Sequence, residues 1–487
     1  MCLAKSATRG QAPPHRAIIF FNLLSCTIGA AWCNAQEHRN VLVLVSDNHN
    51  ATDLGCYGNP VVQTPYLDQL AREGVRFPHA FATTASCSSS RGVMWTGLHT
   101  HANGQYGHSH GYHNFHMRPQ VKSIFALLKK AGFHTGVVGK YHIAPDPKDG
   151  LEVESYPRGR NVVGMAQDAK DFFSAAGNKP FFLAVCFVDP HPTSNRERPA
   201  WKIRRHFPGI VPVEYNPANV IVPGYLPDQP EVREGLAGYY QLISRMDSGV
   251  GLVLSALQAA GKTEETLVIF FSDHGSTEPG AMATHYEPGV RIPLIVRHPR
   301  QKPEPGGSVN HAMVTLADLV PTVLDWTGVK KPGYPLHGRS FLPILGEADP
   351  PGWDEVYLSH IFHEVTMYYP MRTVRTRTHK LIWNMAWRLR YPLPNDTVEF
   401  ATWQEALRRG EGRLGPRSIQ DFLFRPELEL YDLKNDPLEI NNLSNQPQYA
   451  DLRSELFTKI LNFQKRTGDP WLDNHQPPLP VETKSQP

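Results

Sequence analysis

A chain of 487 residues, 41% hydrophobic and 20% charged, has the composition of a globular protein with room for a sizeable core, which excludes a disordered or low-complexity class. Its 49 basic residues nearly balance 46 acidic ones, so the balance argues against a broad cationic groove for nucleic acid and leaves room only for a local anion pocket.

The first residues carry only basic charges (Lys5, Arg9, Arg16), followed by an apolar run from Ala17 to Trp32 and the small-residue pattern Cys33-Asn34-Ala35. This reads as a secretory signal peptide over 1–35, cleaved after Ala35. The run falls short of the roughly 20 apolar residues of a stable membrane span. An uncleaved anchor and lipidation at Cys26 are the competing readings. Without this leader the chain carries 46 basic and 46 acidic residues and keeps Cys56, Cys87 and Cys186. Three cysteines imply no disulfide framework, and a lone cysteine is ordinarily a small buried residue. The expected destination is the periplasm, the extracellular space or, in a eukaryotic cell, the lysosome.

Asn40–Ser46 is a continuous β-branched and leucine run, as in a strand buried on both faces, and it ends in Asp47-Asn48. Phe181–Val188 and Leu267–Ser272 repeat the arrangement, running into Asp189-Pro190-His191 and Asp273-His274-Gly275. Between them, Thr64-Pro65 predicts a helix start with a stop at Gly74, and helical spacing covers Val121–Ala131 and Glu231–Ala260. The alternation predicts an α/β domain over 36–350, a mostly parallel sheet flanked by helices, with ligands beyond the carboxyl ends of the strands. A Gly/Pro-rich stretch, 328–352, follows the helix-like Leu316–Trp326. A smaller α+β domain over 351–475 is expected from strand candidates at Val356–Leu358, Arg372–Trp383 and Leu428–Leu433 and a helix from Tyr449 to Gln464. Residues 476–487 have the composition of a disordered tail.

Asp47, Asn48, Asp273 and His274 offer two carboxylates, an amide oxygen and an imidazole from two strand ends. Either pair alone would serve turn backbone; both on one edge, beside Asp189 and His191, suit a divalent cation. Oxygen-rich ligation suggests Ca²⁺ or Mg²⁺, and the imidazole keeps a transition metal open. Lys140 and His142 follow a further strand candidate, Thr135–Gly139, and would bring a cation and an imidazole to the same edge. Cys87, in Ser86-Cys87-Ser88-Ser89-Ser90-Arg91, stands before a predicted helix, where backbone N–H groups favour anions.

The segment from Cys87 to Gly97 resembles the sulfatase signature, Cys-x-Pro/Ala-Ser-Arg followed by threonine-glycine, in which the cysteine becomes formylglycine. The blocks around Asp47, Lys140, His191 and Asp273 resemble that family's other active-site blocks in the same order, as do Tyr286–Leu294 and Glu429–Pro437. The resemblance covers Arg39 to Leu472 and implies an alkaline-phosphatase-like fold. Within the family, Asn103–His108, Arg245–Leu254 and especially His363–Arg372 look like the sulfamidase group, the N-sulfoglucosamine sulfohydrolases. That implies hydrolysis of N-linked sulfate from a terminal glucosamine of heparan-type fragments. Cys87 would supply a formylglycine nucleophile, Asp47, Asn48, Cys87, Asp273 and His274 would surround the cation, and Arg91, Lys140, His142 and His191 would act on the sulfate. His363, Glu364 and Arg372 would hold the sugar; from composition alone they could equally be a structural network. A sulfated saccharide and a formylglycine-generating maturation enzyme are the implied partners, and a homodimer stays open.

Three positions depart from the family pattern. Ser89 stands where the signature has proline or alanine, Asn48 replaces the second aspartate of an Asp-Asp pair, and Met282 occupies a position where a lysine or arginine helps bind sulfate. The alternatives are an O-sulfatase, a phosphate or phosphonate ester hydrolase, and a catalytically inactive glycan-binding homologue. Sequons occur at Asn50, Asn395 and Asn442.

Overall fold

The structure is a computed structural model that describes residues 39–144, 153–155, 159–192, 209–300 and 306–475. The expected leader and tail lie outside these residues. No described helix is long and apolar enough to cross a membrane.

The apolar runs become the middle of an eight-stranded sheet. Its order is Ser308–Val309, Val75–Arg76, Leu294–Arg297, Thr266–Ser272, Asn40–Ser46, Phe181–Cys186, His134–Gly139 and Val153–Ser155. All pairings are parallel except those made by Leu294–Arg297. Side chains alternate across a strand, and here both faces are covered. Val41, Val43, Val45, Ile269 and Phe271 pack with Trp95, Phe125, Leu128 and Val323 on one face. Leu42, Leu44, Leu183, Val268 and Phe270 pack with Met165, Phe172, Ile243 and Val250 on the other. Each such side chain contributes about 1.5–3 kcal/mol by leaving water, so the strand register is firmly held.

The expected helices form with small shifts in their ends. Pro65–Arg72 starts at its proline, although the Thr64 hydroxyl donates to Asp68 Oδ1 (3.1 Å) instead of capping the helix. Ile124–Lys130 begins later than predicted because Ser123 accepts from the Ala126 N–H and caps it there. Pro230–Ala259 is a 30-residue helix, and Leu319–Thr327 stops at Gly328 with left-handed φ.

After the Gly/Pro-rich stretch comes an antiparallel sheet of Glu355–His360, Met371–Thr376, His379–Asn384 and Leu428–Asp432. The single predicted strand Arg372–Trp383 is thus a hairpin. Helix Ala450–Thr467 covers one face through Leu456 and Ile460, which meet Val374, Leu381 and Leu430. Tyr369, Tyr391, Trp403 and Phe422 cover the other. Both sheets belong to one compact unit, and Val356 and Leu358 share a core with Phe81, Ala85 and Val290.

Candidate active site

Strand register builds the site. Ser46 pairs with Ser272, and Val45 and Gly139 both pair with Cys186, so four strands end in nearly one row. The residues that follow, Asp47, Asp273 and Lys140, therefore emerge side by side. Gly139 allows this at the Lys140 end: its φ is +91°, and a Cβ there would collide with the Cys186 carbonyl, which accepts from the Lys140 N–H at 2.9 Å. Asn48 and His142 turn back at φ 63° and 62°, a left-handed conformation that asparagine and histidine adopt more readily than most residues.

Cys87 opens the buried helix Cys87–Thr96, whose first backbone N–H groups have no partner within the helix. Its Sγ lies 3.2 Å from His274 Nε2 and 3.8 Å from both Asp47 Oδ1 and Asn48 Oδ1. One ligand atom each from Asp47, Cys87, Asp273 and His274 falls within 4.8 Å of the others. Asp47 Oδ2 is held by Lys140 and, at 3.5 Å, by Arg91. Asp273 Oδ1 accepts from the N–H groups of Asn48 (3.1 Å) and His274 (2.9 Å), and its Oδ2 accepts from Arg91 Nε (3.0 Å). His274 Nδ1 is tied to the Gly275 carbonyl at 2.9 Å, which turns Nε2 towards Cys87. Two carboxylates, an amide oxygen and an imidazole that face one another fit a divalent cation.

The electrostatics follow from burial and pairing. Burial opposes ionisation of Asp47, yet Lys140 and Arg91 hold its carboxyl well below the usual range. Burial likewise opposes the charge on Lys140, and Asp47 keeps it an ammonium. Burial lowers the pKa of His142, reinforced by Lys140 and Arg91, and lowers that of His191, reinforced by Lys140. It also pushes the Cys87 thiol well above its ordinary value. The protein matrix by itself therefore keeps that thiol protonated and a poor nucleophile.

His191 lies beyond Phe181–Cys186, with Nδ1 against the Pro192 carbonyl at 3.0 Å. Asp189 is fixed by Arg160 and by a bidentate contact with Arg245 at 2.7 and 2.8 Å. His363 joins the site from the C-terminal part: its Nδ1 meets Ser86 Oγ at 3.0 Å and its Nε2 meets His108 Nε2 at 3.1 Å. Glu364 is close in sequence but accepts from the backbone N–H and the amide of Asn395 (3.0 and 2.8 Å). Arg372 lies apart from this group. Its guanidinium is fully buried, paired with both Asp469 oxygens at 2.5 and 3.0 Å, and donates to the His360 and Met371 carbonyls. All four of these hydrogen bonds stay within the C-terminal part.

The departures also have places. Ser89 is buried with an unpartnered hydroxyl, Asn48 donates from Nδ2 to Thr277 Oγ1, and Met282 is buried in a small apolar cluster with Ala283 and Met367. Sequence reasoning passed over His108 and His110, whose rings stand 5.5 and 4.9 Å from that of His142, centroid to centroid. The available signal was density: six histidines fall between His99 and His116. Cys186 is an ordinary core residue, and Cys56, Cys87 and Cys186 are all free thiols.

Comparison with known proteins agrees with this geometry. Residues 39–329 match the Sulfatase family model, and residues 282–403 match the model of the N-sulphoglucosamine sulphohydrolase C-terminal region. The chain is 37% identical over 468 residues to N-sulphoglucosamine sulphohydrolase of Homo sapiens, covering 90% of this chain and 92% of that protein. It is 26% identical to an ulvan-active sulfatase of Formosa agariphila, covering 89% and 81% of the two chains. A solved structure in complex with its substrate D-glucosamine-2-N,6-O-disulfate superposes with a TM-score of 0.65 at 20% identity, covering 90% of this chain and 100% of that one, a likeness of fold. The chain is a hydrolase belonging to the sulfatase family, with the alkaline-phosphatase-like architecture.

Proposed function

We propose that this protein removes sulfate from a sulfated glycosaminoglycan fragment, and that its preferred bond is the N-linked sulfate of a terminal glucosamine. The observation that carries the reading is the convergence of Asp47, Asn48, Asp273 and His274 on Cys87, beside Lys140 and Arg91. The choice of N-linked sulfate draws on the 37% identity to a sulfamate hydrolase along nearly the whole of both chains.

Asp47, Asn48, Asp273 and His274 would hold the divalent cation, Ca²⁺ in the first instance and Mg²⁺ or another dication in the second. Such a cation draws charge from sulfuryl oxygens and lowers the pKa of a neighbouring hydroxyl. A formylglycine made from Cys87 by a maturation enzyme would carry, when hydrated, the nucleophilic hydroxyl that the buried thiol cannot supply. Arg91 orients the Asp47 and Asp273 carboxylates, and Lys140 offers its ammonium to a sulfate oxygen as a point charge. His142 holds or accepts the proton of the nucleophile's second hydroxyl. His191 donates a proton to the leaving nitrogen: its Nδ1 is held by the Pro192 carbonyl, which leaves Nε2 for the substrate, and because burial lowers its pKa the imidazolium has to form as the anionic substrate binds before it acts as the donor. His363 and Glu364 border the sugar. The expected leader places the reaction after export from the cytoplasm.

The test is sulfate release from N-sulfoglucosamine, run beside O-sulfated monosaccharides and an aryl phosphate, with the mass of the Cys87 peptide measured on the same sample. Release from the N-sulfated sugar above all others is expected. A converted Cys87 with no release overturns the reading, and an unconverted Cys87 that still binds the saccharide makes the chain a glycan-binding protein.

A further inference from the structure

Beside the site stands a second group of metal-ligating side chains, of which the sulfate chemistry uses only His142. His108, His110 and His142 each place one ring nitrogen within 4.8 Å of the other two. His110 Nδ1 and His142 Nε2 are 2.7 Å apart. Every donor here is an imidazole nitrogen, whereas the donors around Cys87 are mainly oxygens. Neutral imidazoles select zinc, copper or nickel ions over Ca²⁺ and Mg²⁺. A four-coordinate zinc-type ion with bonds of about 2.0–2.1 Å needs nitrogens about 3.3–3.4 Å apart. The pair at 2.7 Å therefore has to open by about 0.6–0.7 Å. His110 is exposed and free to make that movement.

The surroundings are those of a prepared ligand set. Metal-bound histidines hold their second nitrogen with an outer partner that fixes the tautomer. His108 has a partner on each nitrogen, Ser88 Oγ at 3.4 Å from Nδ1 and His363 Nε2 at 3.1 Å from Nε2, so ligation replaces one of these contacts and keeps the other as the outer partner. Through His363 the chain of contacts continues to Ser86, which precedes the Cys87 helix. His142 Nδ1 is buried without a hydrogen-bond partner. The exposed flank at His110 leaves the fourth coordination position to water.

We propose that His108, His110 and His142 form a second, solvent-accessible site for a transition-metal dication of the zinc type, and that its occupancy stops hydrolysis. The metal takes the lone pair of His142 and so removes that residue from the hydrolysis. Binding rests on the three imidazoles alone; the inhibitory consequence rests on the role given above to His142.

The experiment uses the mature full chain in excess Ca²⁺, titrated with Co²⁺ as a spectroscopic probe and with Zn²⁺ by calorimetry. One equivalent of Co²⁺ should give the visible d–d absorption of a nitrogen-ligated, low-coordinate ion. His110→Ala should weaken binding by more than about tenfold, and His108→Gln should do the same if His110→Ala alters the loop. Asp273→Asn, which disables the oxygen-rich site, should leave the band intact. In the activity arm, Zn²⁺ should inhibit the parent protein at concentrations that spare His110→Ala. Absence of the band, or a band that survives both histidine variants and disappears in Asp273→Asn, overturns the proposal. Because the band and the heat need no turnover, a protein without sulfatase activity would refute the function above and still leave this site to be tested.

Discussion

At the carboxyl ends of the central strands, Asp47, Arg91, Lys140 and Asp273 are buried with donor atoms left facing Cys87. Under the C-terminal sheet, charge is buried just as deeply but closes on itself. Lys380 Nζ is shared by Glu287 (2.8 Å), Glu439 (2.7 Å) and the His285 carbonyl (2.9 Å), and Arg372 is held by Asp469 and two carbonyls. Burial of charge therefore does not by itself mark function. What distinguishes the two regions is whether polar atoms remain turned towards a common point.

That contrast is broken most severely at Cys87. Cys87→Ala removes the group on which the open cluster converges and should lower sulfate release by a factor on the order of 10⁴ or more. Its unfolding midpoint should stay close to the parent's, because one small side chain leaves the register of four strands untouched. Residual activity within tenfold of the parent would show that the nucleophile is another group.

Arg372→Met asks the same question of the closed cluster. It leaves Asp469 buried without its partner, a loss of about 3–5 kcal/mol in stability. Urea unfolding should show that loss. KM for the saccharide, measured where the variant is folded, should remain within about threefold, since Arg372 is fully buried and its four hydrogen bonds are all made to Asp469, His360 and Met371. A large rise in KM at unchanged stability would instead place Arg372 in the substrate site.

The two regions also separate by pH. Around the closed cluster, burial depresses His101 to about 3, and His360 to about 3. Burial, with Arg466 nearby, depresses His337 to about 4. In the unfolded chain these imidazoles titrate near 6.5. Between those values the unfolded state binds more protons, so their contribution is present above pH ~6.5 and is lost as the pH falls. Asp53 and Asp247, raised to about 7 by burial, act in the opposite sense, gaining as the pH falls from 7 to 4. The neutral buried imidazoles are more numerous, with His99 and His285 also held well below their ordinary value by burial. Stability should therefore drop as the pH falls below 6.5, by about 1.4 kcal/mol per pH unit for each net proton taken up on unfolding. Unfolding midpoints that are flat or rise towards pH 5 would contradict this.

How much of this was legible beforehand depends on whether the signal is local. Asp47, Asp273 and Lys140 could be read because each ends a continuous apolar run, and parallel strands of matched length deliver their ends to one edge. The contacts that could not be read join residues far apart in sequence: Arg372 with Asp469, Glu364 with Asn395, His363 with His108 and Ser86. No period or spacing encodes them, so an arginine inside the most informative motif could not be assigned to sugar or to structure. The place of the Asn50 sequon is hidden in the same way: Asn50 is only 6% exposed and its Oδ1 accepts from the distant Ser276 N–H.

The finest distinction between open and closed charge lies at Asn48. Its Oδ1 faces Cys87 at 3.8 Å, and its Nδ2 is held by Thr277 Oγ1, so an aspartate fits the same space and can accept from the threonine hydroxyl. Asn48→Asp adds one negative charge to the donor set at a place where Lys140 and Arg91 already stand against Asp47. Cation affinity should rise about tenfold through ligand charge alone, while stability in chelator should fall by about 1 kcal/mol from the unneutralised carboxylate. Calorimetric titration of Ca²⁺ and unfolding with and without chelator measure both halves. An affinity that does not change would mean that Asn48 stands beside the cation without ligating it, and that Asp47, Asp273 and His274 hold it without help from this residue.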